Sequence, residues 1–559
     1  MKIVECVPNI SDGRRPEVYE AAAAAAGSVP GVAVLNVDPG VETNRTVITF
    51  VGDPEAVLEG AFRLIQTSIG LIDMTGHHGA HPRMGAVDVV PFVPVSEVTM
   101  DDCAELARQL GDRVACELNL SIYLYEFAAT SEERRNLANI REGEYEGLAK
   151  KIVDPKWKPD FGPAEFNPRS GATAVGARKF LVAYNVNLNT LDKRLANRVA
   201  FDVREKGRPK RDDHDKPVLD ENGQEVWEPG LLAAVKGVGW TIPEFGCAQV
   251  SLNLTDLDVT PLHVAFDACD ERARARGMRA TGSELVGLVP LSVLLDAGRH
   301  YIAKTGRSTG VPEAALVHAA IRTLGLSEVK PFDPMERVID YRLAPPGRLV
   351  SMSLRAFVDE LSSDSPAPGG GSVSALAAAM AGGLAAMVAT LSHAKAGMEA
   401  KQPELERIGI RAQKLKDELL AAVDADTAAF DRLLDAMRMP RSTPEEKTAR
   451  DAAMTDATVA AIEVPLGVLE RCPEVIDLCR EVGAIGLEES LSDAGVGVQM
   501  ARAAAAGAYQ NVCINMAGLY DEARKKELLE RADRAWNRSR QLHLDGEKEI
   551  LDALRNKAG

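Results

Sequence analysis

No two of the eight cysteines stand at C-x-x-C spacing: Cys6, Cys103, Cys116, Cys247, Cys269, Cys472, Cys479 and Cys513 are scattered singly. Zinc and dithiol motifs are thereby excluded. Single thiols in a chain of 559 residues predict a reducing, cytoplasmic setting. An excess of positive charge is also lacking. Lys and Arg number 65 against 82 Asp and Glu, a formal net charge of −17. Such a surface repels phosphate backbones and argues against nucleic acid as a partner. No Gly-Lys-Ser follows the glycine run at 369–371, so a Walker phosphate loop is absent. The first residues turn polar by Asn9 and Asp12, too early for a secretory signal. One uncharged stretch, 372–391, approaches spanning length. It is mostly Ala and Gly, which contribute little transfer free energy and let helices approach closely, so it predicts a buried bundle helix and no membrane partner.

What is present is patterned. Apolar residues make up 46% of the chain, ample for several cores at about 100–200 residues per domain. Strand patterns at 2–8, 32–38, 45–52, 86–95 and 121–127 alternate with helical patterns at 15–26, 54–69 and 101–117. A similar order returns with strands at 179–188, 233–240, 246–254 and 284–290 and helices at 192–205, 261–276 and 291–305. This predicts two α/β subdomains of the split βαβ type, 1–178 and 179–330. Between the second set's first helix and second strand, 205–230 is crowded with Asp, Lys, Arg, Gly and Pro, an exposed excursion that reads first as a solvated loop, with a hairpin around Asn222-Gly223 as the alternative. Pro331, Pro334, Pro345, Pro346 and Gly347 punctuate a linker over 331–350. From 351 to 559 the pattern is helical, an all-α bundle domain.

Five places carry chemistry. His77, His78 and His81 fall within five residues of a loop, with three readings open: acid–base catalysis, a metal site, or a plain loop cluster. The spacing is not a recognised zinc pattern, and no metal is expected. Asp38-Pro39-Gly40 ends a strand, where residues often face a site, although Asp, Pro and Gly are also ordinary turn residues. The loop Gly162-Pro163-Ala164-Glu165-Phe166-Asn167-Pro168-Arg169-Ser170-Gly171 runs on to Arg178 and Lys179. It suits either a planar anionic ligand or a subdomain connection. Gly369-Gly370-Gly371-Ser372 opens an Ala-rich helix, whose first N–H groups are unpaired and available to a ligand or a cap. Finally, steps of three and four place Leu405, Ile408, Ala412, Leu415, Leu419, Ala422 and then Asp426 on one helix face, with Asp424 and Asp431 off it. A carboxyl on that face is desolvated and suited to carrying protons, or it is a structural Asp paired with a cation.

Several of these runs also resemble a known family. Met1 to Ser11, Thr43-Asn44-Arg45-Thr46, His81-Pro82-Arg83-Met84-Gly85, the run 171–180 and Val238-Gly239-Trp240 are similar to glutamate formimidoyltransferase. Ser365 to Ser372 and Val423-Asp424-Ala425-Asp426 are similar to formimidoyltetrahydrofolate cyclodeaminase. Both together, in this order, resemble the bifunctional formimidoyltransferase-cyclodeaminase family. The resemblance implies transfer of a formimino group from N-formimino-L-glutamate to N5 of tetrahydrofolate, used as a substrate, in histidine breakdown. Ring closure to 5,10-methenyltetrahydrofolate with loss of ammonia follows. It implies His81 and Asp426 as the catalytic residues and Gly162 to Gly171 as folate-contacting. The excursion 205–230 is longer than in the animal members, and His77 and His78 match no secure family role.

In that chemistry His81 takes and returns a proton, while Asp38 orients or polarises. Folate substrates are anionic, so cations must gather locally in an acidic protein, and Arg169, Arg178 and Lys179 are candidates; in the helical domain Gly369, Gly370, Gly371 and Ser372 are candidates to hold folate by backbone N–H groups. A homo-oligomer is expected. Two rivals remain: a formyl transferase fused to a methenyltetrahydrofolate cyclohydrolase, and a non-catalytic folate-binding scaffold.

Overall fold

The structure is a computed structural model that describes residues 2–558 apart from 80, 213, 215, 344–346 and 366, with backbone alone at 243 and 558. Met1, Ala80 of the histidine loop, Pro345 and Pro346 of the linker and Pro366 before the glycines therefore lie outside the described residues. Two compact units are present. One comprises Met1–Val293 with Leu324–Arg342, the other Leu294–Thr323 with Leu343–Gly559.

The first unit holds two sheets. In chain order the strands of the first are β1 Ile3–Cys6, β2 Asn9–Ile10, β3 Ala33–Gly40, β4 Arg45–Gly52, β5 Val87–Ser96, β6 Ser121–Glu126 and β7 Ala172–Ala177. β1 and β2 both pair with β4 and β5, so they are successive parts of one strand position. The spatial order is β3, β4, β1/β2, β5, β7, β6. Its first four positions are a split βαβ unit, extended by β7 and β6, which run parallel. The second sheet contains β8 Val182–Leu188, β11 Val235–Ile242, β12 Cys247–Leu254 and β13 Ala280–Val286 in the order β11, β12, β8, β13. That is the same arrangement repeated, as the returning strand–helix pattern predicts.

Alternation fixes which face does what. Val4, Cys6, Ile48, Phe50, Val90 and Phe92 point to one face and are buried with Val57, Ala61, Leu64 and Leu110 of the helices Pro54–Leu71 and Met100–Leu118. Glu5, Asn9, Arg45, Val47, Val89 and Pro91 point the other way.

Three local expectations are corrected. The run 172–177, expected as the end of a loop, is the buried strand β7 between β5 and β6. The strand expected at 284–290 lies at Ala280–Val286. The strand expected from Lys179 starts at Val182. The excursion is a hairpin: β9 Arg208–Pro209 pairs with β10 Trp227–Glu228, and Gly223 takes φ +77° in the turn.

The second unit is helical. Its longest elements are Gly370–His393, Gln402–Arg438, Pro444–Ile485, Leu491–Asn515 and Glu522–Ala558, around one core that includes Ala378, Ala385, Leu415, Leu469 and Ala505. Gly370–His393 and Pro444–Ile485 are both long and apolar enough to cross a membrane by length and composition. Of the apolar window in Gly370–His393, 61% is buried inside the protein, as its small-residue composition predicts for a core helix.

Candidate active sites

The face of the first sheet opposite the helices and the corresponding face of the second sheet bound a cavity of about 1190 Å³. Glu5, Asn9, Asp38, Arg45, His81, Glu126, Arg141, Arg178, Lys179, Lys236 and Asp256 are among its lining residues. The cavity draws on residues from 5 to 288, which is why no single sequence motif describes it.

His81, one of the lining residues, is carried by the loop before β5. Nδ1–H donates to the Pro82 carbonyl at 2.7 Å. A carbonyl only accepts, so the proton sits on Nδ1 and Nε2 carries the free lone pair. Burial, with the positive charges of Arg45 and Arg141, holds the imidazole below its ordinary pKa, so it is neutral and basic at physiological pH. The loop geometry depends on glycine: a Cβ on Gly85 would lie 2.2 Å from the Ala172 carbonyl, and one on Gly171, at φ +65°, 2.2 Å from that of Met84.

The other two histidines do different things. His77 Nδ1 accepts from Arg83 Nε at 3.2 Å, and its Nε2 lies 3.0 Å from the Asn44 carbonyl. Arg83 continues to Glu146 at 2.6 Å and Glu144 at 3.0 Å. His77 is a bracing residue of the loop. His78 lines a separate hollow with Gly79, Arg83, Gly143, Glu144 and Glu146. Among the described residues no group of three or more His, Cys, Asp or Glu is arranged to hold a metal ion.

Arg178 and Lys179 both line the cavity. Lys179 is engaged by Asp256 at 2.8 Å and Asp258 at 3.0 Å. Asp38 lines the cavity from the end of β3. The loop Gly162 to Gly171 contributes none of the cavity's lining residues. Asn167 Oδ1 accepts from the Arg169 and Ser170 amides, Phe166 packs on Tyr145 with centroids 5.5 Å apart, and Arg169 Nη2 donates to the Gly70 carbonyl at 3.0 Å.

Three further lining residues of the cavity, and one buried partner of theirs, escaped sequence reasoning. Glu5 is 2% exposed, and burial pushes its carboxyl up to about 7 against the opposing pull of Arg178. Its signal was a lone acid in an otherwise apolar strand. Arg45, which belongs to a quoted motif, and Arg141 converge on the wholly buried Asp88.

In the helical unit, Asp426 lies against the first turn of Gly370–His393. Ser372 Oγ is 3.1 Å from Asp426 Oδ2 and 2.9 Å from the Val423 carbonyl. A Cβ on Gly371 would fall 2.1 Å from Asp426 Oδ1, so only glycine admits the carboxylate there. Burial raises the Asp426 pKa, opposed by hydrogen bonds from the Ser372 hydroxyl and amide. Gly370 sits beside Asn511, whose Nδ2 would be 3.2 Å from a Cβ at 370; sequence offered no signal for that neighbour. Gly369 takes the N-cap position. Asp424, off the apolar stripe, accepts the amides of Leu349 at 2.8 Å and Val350 at 3.1 Å, a structural task.

Three family descriptions match the chain: "Formiminotransferase domain, N-terminal subdomain" at residues 3–178, "Formiminotransferase domain" at 183–344 and "Formiminotransferase-cyclodeaminase" at 353–534. The formimidoyltransferase-cyclodeaminase of Gallus gallus is 42% identical over 544 residues, 97% of each chain. The glutamate formimidoyltransferase of Streptococcus pyogenes serotype M1 is 38% identical over 301 residues, 54% of this chain and 93% of that one. The methenyltetrahydrofolate cyclohydrolase of Methylorubrum extorquens is 36% identical over 177 residues, 32% of this chain and 85% of that one.

Proposed function

The chain belongs to the bifunctional formimidoyltransferase-cyclodeaminase family, and on that premise we propose that His81 serves the transferase reaction and Asp426 the cyclodeaminase reaction. The protein is a transferase and lyase of folate-dependent histidine degradation. The observation that carries the assignment is the pairing, in separate units, of a neutral His81 on a large polar cavity with a desolvated Asp426 against a glycine turn.

N5 of tetrahydrofolate attacks the amidine carbon of N-formimino-L-glutamate. The proton that N5 sheds passes to His81 Nε2. The tetrahedral intermediate collapses as the bond to the glutamate nitrogen breaks, and His81 returns the proton to that nitrogen. No covalent enzyme intermediate and no metal enters this scheme. Asp38 supports by orienting a polar group of the donor, and Arg178 offers charge to the folate. Lys179, engaged by Asp256 and Asp258, is a weaker candidate for the same task. Gly162 to Gly171 is proposed as folate-contacting on the family correspondence alone.

In the helical unit, N10 attacks the formimino carbon. Asp426 accepts the N10 proton and delivers one to the departing nitrogen, which leaves as ammonia. A carboxyl raised toward neutrality is suited to both roles. The amides of Gly370, Gly371 and Ser372 begin a helix and offer donors to the folate, with Gly369 at the cap.

In domain terms the proposal assigns transfer to 1–178 and 179–330, a linker to 331–350 and cyclodeamination to 351–559. A cytoplasmic setting is supported by eight unpaired thiols, and self-association by the exposed Leu354 and Val358 of one short helix. A second reading, cyclohydrolase activity of the helical unit, is favoured by the likeness to the Methylorubrum extorquens enzyme. One incubation separates them. With N-formimino-L-glutamate and tetrahydrofolate, methenyl absorbance and ammonia should appear together in equal amounts. Methenyl hydrolysis without ammonia release from supplied 5-formimidoyltetrahydrofolate favours the second reading, and binding without turnover the scaffold.

A further inference from the structure

Asp88 lies in β5 with no exposed surface, yet it keeps its charge: Arg45 and Arg141 hold its carboxyl below the usual range despite burial. Arg45 Nη1 donates to Asp88 Oδ2 at 2.5 Å, Arg141 Nη2 to the same oxygen, and Arg141 Nε to Oδ1 at 3.3 Å. Asn9 Oδ1 takes the Arg45 Nε proton at 3.0 Å. Both arginines are lining residues of the transferase cavity, and their side chains keep 8% and 16% of their surface exposed. Arg45 Nη2 and Arg141 Nη1 have no hydrogen-bond partner among the described residues. One carboxylate thus anchors two cations, leaving a net positive charge beside His81, close enough to bias its titration.

We propose that Arg45 and Arg141, fixed by Asp88, are the recognition site for the α-carboxylate of the amino-acid donor. The proposal rests on the transferase reading above. A second carboxylate completes the cluster at two charges of each sign, and paired guanidiniums present N–H groups in the geometry a carboxylate accepts. Two acidic groups could supply it: the donor's carboxylates or the glutamate tail of the folate. Chemistry near His81 selects the donor. Its α-carboxylate is one carbon removed from the nitrogen that must leave, whereas the folate tail is separated from N5 by the aminobenzoyl spacer. Holding that carboxylate fixes the leaving nitrogen relative to His81. Asp88 touches no substrate in this scheme and acts as a positioning residue.

Arg141 is the residue to change, since Arg45 then still neutralises Asp88. Arg141→Gln and the charge-retaining Arg141→Lys are compared with wild type by steady-state kinetics, with circular dichroism checking the fold. The KM for N-formimino-L-glutamate should rise about 10–100-fold in Arg141→Gln and less in Arg141→Lys. The KM for tetrahydrofolate should stay within about twofold. Inhibition by free glutamate should weaken in parallel. A donor whose α-carboxylate is an amide should be poor for wild type and no poorer for the variants. An unchanged donor KM overturns the proposal. So does a rise confined to the folate KM that vanishes with a folate analogue lacking the glutamate tail. If Arg141→Gln does not fold, Arg141→Lys decides by the same criteria. A wild type without formimino transfer would instead overturn the transferase reading itself, which the same wild-type assay reports separately.

Discussion

Gly371→Ala tests the helical site with one carbon atom. The new Cβ would stand 2.1 Å from Asp426 Oδ1 and 2.5 Å from Cγ and Oδ2. Ordinary contact begins near 3.4 Å, so the carboxylate has to withdraw by about 1.3 Å. It can, because it is the free end of a short side chain, and the fold does not have to yield. Gly371 is already helical, and replacing a helical glycine with Ala gains up to about 1 kcal/mol, which offsets the cost of the shift. Stability should therefore change little. Misplacing a reacting group by about 1 Å costs on the order of 10²-fold in rate. Ammonia release from supplied 5-formimidoyltetrahydrofolate should fall by about that factor, while formimino transfer and the melting temperature hold. Gly370→Ala is the graded control: its Cβ meets Asn511 Nδ2 at 3.2 Å, a mild approach, and it should cost much less. A folded Gly371→Ala that keeps cyclodeamination within about threefold would refute the claim that Asp426 works from its place against the glycine turn.

Three other outcomes are expected. Glu5 binds its proton up to about pH 7 in the fold, against 4.5 for an unperturbed Glu, so between those values the unfolded chain holds fewer protons and stability falls as pH rises, by about 3 kcal/mol in all; urea midpoints at pH 5 and pH 8 should show this slope in wild type and lose it in Glu5→Gln, and an unchanged slope would mean Glu5 is not the titrating group. His81→Ala should slow transfer about 10²–10⁴-fold and spare cyclodeamination; near wild-type transfer in a folded variant would remove His81 from the mechanism. Asp426→Asn should leave transfer intact and accumulate 5-formimidoyltetrahydrofolate, whereas Asp424→Asn, which weakens two amide contacts to Leu349 and Val350, should lower thermal stability more than ammonia release; the reverse pattern would exchange their roles.

How far the residues themselves foretold this depends on where the physics is local. Alternation in 45–52 and 86–95 is a local property, and both strands lie within a residue of expectation. The run 172–177 was hidden because four of its six residues are Ala or Gly, with only Thr173 and Val175 β-branched. It needs small ones: a Cβ on Gly176 would meet the Tyr125 ring at 2.5 Å. A strand buried between two neighbours beside a large ring has to be read from its environment, which sequence alone does not display. The helical phase was legible at Asp426 because steps of three and four carry it there, yet the buried positions around it are Val423 and Ala429. The stripe reaches Asp426 through Ala422 instead. That drift is what a helix of 3.6 residues per turn produces. Arg141 and Asp88 stand 53 positions apart, and no periodicity links them.

The two sites reach a similar chemical end from opposite directions. A proton carrier works best when its pKa lies near the working pH. Imidazole starts close to that value and has only to stay neutral, so burial and two neighbouring guanidiniums push His81 down. A carboxyl starts far below it, so Asp426 needs burial without a cation as partner. Burial is the first cause of its shift, and only the Ser372 hydroxyl and amide oppose it. The same desolvation serves both because it disfavours whichever form is charged. This explains why the arginines belong in one site and not the other. Beside His81 they hold an anionic donor and keep the base free at once. Beside Asp426 an arginine would lower the carboxyl's pKa and remove the proton that the departing ammonia requires.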